Sequence, residues 1–98
     1  MDNYHENSNE LSKETKDFVR ALNSMKEEVE AIDWYQQRMD GTSDQQLKKI
    51  LKHNRDEEIE HTCMLLEWLR RNMDGWDEQL KIYLNTTVDI TKAEEKNK

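Results

Sequence analysis

The chain has no proline, only two glycines, one cysteine and one phenylalanine among its 98 residues. Without proline, no internal position loses an amide donor or clashes with the preceding turn, so long helices can run unbroken. The lone Cys63 excludes an intrachain disulfide and fits a reducing cytosol. No apolar run is long enough to span a bilayer, which excludes a helical membrane span. A basic footprint is also missing. The formal net charge is -7, which argues against a nucleic-acid partner. The polar start MDNYHENSNE has no apolar core of a secretory signal, so the expected location is cytoplasmic.

What remains is a helix-favouring mixture of Glu, Lys, Gln, Leu, Arg and Met. At 34% hydrophobic and 38% charged, it is too polar to bury a large core alone. The apolar residues are well phased, however, so association is expected to complete the core. Residues 1–9 read as a disordered arm, 10–85 as the helical domain and 86–98 as a polar tail. Ser12 or Asn9 is expected to cap a first helix. Phe18, Leu22, Met25, Val29, Ile32 and Met39 recur at steps of four and three, with Gln36 as a polar interruption. That helix should run to about Met39, roughly 45 Å at 1.5 Å per residue. Gly41 permits a positive φ at its end, and Ser43 with Gln46, or Thr42 with Gln45, is expected to form a capping box for the next.

The second helix carries Leu47, Leu51, Asn54, Glu58, His61, Leu65 and Trp68 along one seam. Its middle is polar where its ends are apolar. Burying a carboxylate there costs several kcal/mol unless a positive group meets it. A bound metal is such a partner. Glu58 and His61 are spaced i,i+3, so a carboxylate and an imidazole can converge on one point. Di-iron bundles use two Glu-x-x-His motifs plus a glutamate from each of two further helices. This chain has one such motif and one further candidate, Glu28, flanked on its helix by Ser24, Met25, Ala31, Ile32 and Tyr35. Two copies would supply four carboxylates and two imidazoles, a donor set suited to iron, with zinc or manganese as competitors. Glu27 and Glu30 point further outward and read as a solvated edge or as a secondary site that collects cations, calcium among the candidates. Glu57 and Glu60 read as a solvated helix face. Trp34 and Tyr35 follow the acidic patch. Tyr35 joins Glu28, Glu58 and His61 in the expected catalytic set through proximity rather than redox chemistry. Cys63 is expected to be inert and partly buried. After a break at 72–75, Trp76, Leu80, Tyr83 and Leu84 suggest a short third helix.

Glu27-Glu28-Val29-Glu30-Ala31-Ile32-Asp33-Trp34-Tyr35 resembles the E-E-L-E-A-x-D-W-Y signature of the encapsulated ferritins. His53-Asn54-Arg55-Asp56-Glu57-Glu58-Ile59-Glu60-His61 resembles their H-N-R-D-E-E-x-E-H signature, and Glu67-Trp68-Leu69-Arg70-Arg71-Asn72 continues the likeness. The resemblance implies an all-α fold: an antiparallel two-helix hairpin plus a short C-terminal helix, completing a ferritin-like four-helix bundle by dimerisation. It implies iron ligation by Glu28, Glu58 and His61, with Trp34 and Tyr35 nearby, and matches Glu27 and Glu30 to an acidic secondary site. It further implies a ferroxidase that converts Fe(II) to Fe(III) with O2, assembled as an annular homodecamer and packaged in an encapsulin shell that stores the iron. Relatives dock on that shell through a C-terminal extension, and no apolar docking peptide is seen before Asn97-Lys98. The alternative reading is a non-catalytic metal-binding or structural helical adaptor whose Glu/His cluster only sets register.

Overall fold

The computed structural model describes residues 4–96. The first three residues of the expected arm, and the last two of the tail, lie outside the described residues. Two long helices dominate: α1, Lys13–Gly41, and α2, Gln45–Asn72. A short α3, Trp76–Tyr83, and a single turn α4, Ala93–Lys96, follow. Brief 3-10 turns lie at Ser8–Glu10 and Ile90–Lys92. The all-α hairpin expected from the sequence is the observed architecture.

The helix starts are set by side-chain oxygens. The Ser12 hydroxyl accepts from the Thr15 amide at 3.0 Å, satisfying a donor that the first turn leaves orphaned. At the second start the expected capping box does not form. Asp44 is the N-cap of α2, and its carboxylate accepts from the Leu47 amide at 2.8 Å. An ionised acceptor at the positive end of a helix gains from the macrodipole, which a hydroxyl cannot match. Thr42 instead accepts from the Asp44 amide at 3.2 Å. Gly41 does not use the positive φ open to it. The chain leaves α1 through extended backbone at Thr42, with φ -104 and ψ 141, so no left-handed residue is needed there. Among the described residues, the left-handed positions are Gly75, at φ 99 before α3, and Asn85, at φ 62 after it.

The short connection folds α2 back against α1. The best-buried point of the hairpin is at its open end. Leu69 is fully buried and Ala21 nearly so, and Phe18 meets Trp68 edge to face at 6.1 Å between centroids. Elsewhere the seam is only half-buried. Val29, Trp34, Ile50, Met64 and other large apolar side chains stay exposed. The chain is flat, 49 × 42 × 19 Å. It exposes 7,915 Å². A compact monomer of its mass, 11.9 kDa, would expose about 5,900 Å². No helix among the described residues is long and apolar enough to cross a membrane.

A network of ion pairs holds α3 against α2. Arg70 forks onto Glu67 at 2.6 and 2.8 Å and reaches Asp77 of α3 at 2.7 Å. Arg71 adds a 2.6 Å bond to Glu67, and Lys81 a 2.8 Å contact to Asp77. Arg70, then Arg71, holds the Glu67 carboxyl down at about 2. Lys81, then Arg70, lowers that of Asp77. A carboxyl whose folded pKa is depressed contributes its stabilisation above its ordinary pKa and loses it as the pH falls to the folded value. For Glu67 that window runs from 4.5 down to about 2. The Trp76 indole N–H, 3.3 Å from Met73 Sδ at this corner, is a reporter. Its NMR resonance is expected to shift as the pH falls toward about 2, where the folded carboxyl titrates, and Arg70→Met to move that transition up toward 4.5. A transition unaffected by Arg70→Met would show that the corner does not rest on this network.

Candidate metal centre

Glu28 comes from the middle of α1, and Glu58 and His61 from the middle of α2. The antiparallel hairpin brings the three together, and this is the metal-competent group among the described residues. One donor atom from each lies within 4.8 Å of the others. His61 Nδ1 is 3.4 Å from Glu28 Oε2 and 3.7 Å from Glu58 Oε2. Metal bonds of about 2.1 Å place neighbouring ligand atoms about 3.0–3.4 Å apart, so the group is slightly more open than a closed first shell.

Glu28 Oε2 is buried and has no hydrogen-bond partner. An unpaired buried carboxylate oxygen is costly, about 1–3 kcal/mol or more. Hydrogen-bonded neighbours would remove the cost, yet what faces this oxygen is a second carboxylate and an imidazole. Two like charges and a ring nitrogen aimed at one point are a poor structural solution and a good cation site. The residues therefore fit a divalent metal. The Glu28 and Glu58 side chains are 25% and 23% exposed and that of His61 42%, so one side of the group stays open. Thr62 Oγ1 donates to the Glu58 carbonyl at 2.8 Å, one turn back on α2.

The other expected residues are placed less tightly. Glu27 and Glu30 are exposed on α1 and do not join the three-residue group. Trp34 is half-exposed at 52%. Tyr35 is partly buried, with the Arg38 guanidinium carbon 5.4 Å from its ring centroid, and it makes no hydrogen bond to the three residues. Cys63, expected to be partly buried, is exposed, because position 63 falls on the outer face of α2. His53 pairs with Glu57 at 2.8 Å on that helix surface. Sequence reasoning overlooked Arg55, which bridges the helices by donating to Gln36 Oε1 at 2.7 Å. The polar interruption at Gln36 in an apolar seam is the one signal that points to it.

An all-α hairpin that carries carboxylates on both long helices, with an imidazole one turn along, defines a protein of the ferritin-like class. The chain belongs to the EncFtn-like family, the encapsulated ferritins, whose model matches residues 3–87. It is similar to a ferritin-like protein of Thermotoga maritima, 62% identical over 94 residues, covering 96% of this chain and 82% of that one. It is also similar to an encapsulated ferritin-like protein of Rhodospirillum rubrum, 52% identical over 90 residues; these cover 92% of this chain but 64% of that longer protein. The crystal structure of protein ne0167 from Nitrosomonas europaea superposes with a TM-score of 0.86 at 53% identity, over 91% of this chain and 98% of that one.

Proposed function

We propose that this chain is a ferroxidase that oxidises Fe(II) to Fe(III) with O2 at a di-iron centre shared by two copies. One observation carries the reading: the buried, unpartnered Glu28 Oε2 faces Glu58 and His61 across the hairpin. A single copy offers three donors and an open side, which is half of a di-iron carboxylate site. Two copies related by a two-fold axis supply four carboxylates, whose charge offsets two Fe2+ substrate ions. The chemistry follows from charge. Carboxylates stabilise a triply charged ion more than a doubly charged one, so a site built from them favours loss of an electron from each iron to O2. His61 contributes a neutral nitrogen, which keeps the site from becoming too anionic to release its product. Glu27 and Glu30 form an acidic approach that collects cations, and Trp34 and Tyr35 flank it. Zinc and manganese compete for the main site, and calcium suits the acidic approach.

The partner is first of all a second copy. The surface exposed beyond a compact monomer, about 2,000 Å², exceeds the roughly 800 Å² per partner of a standard interface. That supports a dimer and leaves surface for a larger ring, such as a decamer. The likeness to the encapsulated ferritin-like protein of Rhodospirillum rubrum supports residence inside an encapsulin nanocompartment in the cytoplasm, where the oxidised iron is stored.

Native mass spectrometry of the metal-free protein, with and without anaerobic Fe2+, tests the shared site. Two irons per dimer, with a shift toward larger assemblies, is the expected result. An assembly that ignores iron would overturn the reading and leave Glu58 and His61 as register-setting residues of an adaptor.

A further inference from the structure

The hairpin leaves its metal site without a nearby rigid anchor. Leu69 and Ala21, the fully and nearly fully buried residues of the two long helices, lie at the open end. His61 is eight residues from Leu69 and Glu28 seven from Ala21, about 10–12 Å along the helix axes. At the other end the chain turns through residues 42–44. Between them, apolar contacts at half-buried positions such as Met25, Ile32, Leu51 and Leu65 hold the helices together. Such contacts are nondirectional and tolerate sliding or rotation of one helix on the other. A site built from both helices does not tolerate it.

Outside the metal site itself, where His61 Nδ1 lies 3.4 Å from Glu28 Oε2, one directional contact spans this stretch. Arg55 Nη1 donates to Gln36 Oε1 at 2.7 Å, the side-chain hydrogen bond that joins α1 to α2 among the described residues. The Arg55 guanidinium is itself aimed from behind. Asp56 Oδ1 accepts from Arg55 Nε at 3.2 Å and from Nη2 at 2.9 Å, and Lys52 holds the other Asp56 oxygen at 2.8 Å. Arg55 precedes Glu58 by three residues, less than one turn, and its side chain is only 23% exposed. Gln36 lies eight residues beyond Glu28, on the same side of α1. The clamp therefore sits on the loop side of the site, with its α2 end within one turn of Glu58, on the side opposite the buried anchor of the open end.

We infer that Arg55 is a positioning residue, which, by bonding Gln36 while braced by Asp56, fixes the register at which Glu28 of α1 meets Glu58 and His61 of α2. This rests on the metal-site reading above and adds to it the device that builds the site. Three of the five guanidinium N–H donors are directed to Gln36 and Asp56 rather than to the Glu28–Glu58–His61 group, so its role is geometric rather than electrostatic. The distinction has an observable sign. A positive charge this close to a cation site repels the cation. If charge were its main effect, Arg55→Met would tighten metal binding. If Arg55 positions the ligands, Arg55→Met weakens it.

The test is anaerobic Fe2+ and Co2+ titration of the full chain at fixed protein concentration, with the visible Co2+ spectrum as the readout of ligand geometry. Arg55→Met and Gln36→Leu are each expected to weaken binding about tenfold, the lower range for losing an outer support of a metal ligand, and to alter the Co2+ spectrum alike. The double variant should be no worse than either single one, because both remove the same bond. Arg55→Lys should behave like Arg55→Met, since an ammonium keeps the charge but cannot serve Gln36 and Asp56 in one planar fork. Tighter binding in Arg55→Met, additive losses in the double variant, or full rescue by lysine would each overturn the inference. Amide exchange of residues 54–62 in metal-free protein separates this failure from failure of the metal reading. If wild type proves indifferent to metal, the clamp still predicts equal loss of protection in Arg55→Met and Gln36→Leu, and unchanged protection there would refute it.

Discussion

Glu58→Ala is expected to abolish Fe2+-dependent oxygen consumption while leaving the helices intact. In the proposed shared centre Glu58 supplies one of the two carboxylates of each half-site, so a dimer would lose two of its four compensating charges at once. Loss of an outer-shell support alone costs up to about 100-fold, and loss of a ligand should exceed that. The fold has no reason to suffer. The polar contact of the Glu58 side chain is a long one, 3.7 Å to His61 Nδ1, alanine is a better helix former, and removing one of two neighbouring carboxylates relieves their repulsion. Circular dichroism and thermal midpoint of the metal-free variant should therefore match or slightly exceed wild type. Oxygen-electrode traces at saturating Fe2+ decide the matter. Undiminished oxygen uptake would remove Glu58 from the chemistry, and a variant that unfolds would make it a structural residue.

Leu69→Ala is expected to have the largest effect on stability. Leu69 is the fully buried large side chain of the hairpin, packed at the open end near Ala21 and beside the Phe18–Trp68 pair. Truncation there loses transfer free energy and leaves a cavity, together about 2–5 kcal/mol. Whole domains are stable by only about 5–15 kcal/mol, and a chain with so little fully buried surface belongs at the low end. Urea unfolding should show the midpoint falling sharply. Added Fe2+ should restore part of it, because a ligand that binds only the folded state stabilises it by mass action. If Leu69→Ala unfolded with the wild-type midpoint, the anchor would lie elsewhere, in surfaces between copies.

Much of this molecule is written in its local pattern. The three-four spacing from Phe18 to Met39 and from Leu47 to Trp68 specifies two helices, because that spacing keeps one stripe on one face whatever the surroundings. The Glu58–His61 pair is legible for the same reason. Residues three apart on a helix share a face, so their convergence is settled by the helix alone. Glu28 was legible as a seam-margin carboxylate between small residues, and its partnership with α2 follows from a short connection that forces antiparallel packing. Local alternatives were harder. Thr42, Ser43 and Asp44 can all cap a helix, and the choice of Asp44 depends on where the turn leaves the backbone. Gly41 can adopt positive φ but is not required to, and the extended exit at Thr42 makes that freedom idle.

Helix periodicity thus dictated the two long elements and the face on which the ligands stand, because both depend on residues within a turn or two of each other. Tertiary packing alone decided the rest. It set how far α1 slides along α2, and so whether Glu28 Oε2 reaches within 3.4 Å of His61. It joined Arg55 to Gln36, nineteen residues away. It also folded α3 onto α2 through Arg70 and Asp77. Such contacts join residues distant in the chain, and their geometry comes from the sum of many weak apolar contacts across the seam, which no short stretch of sequence specifies.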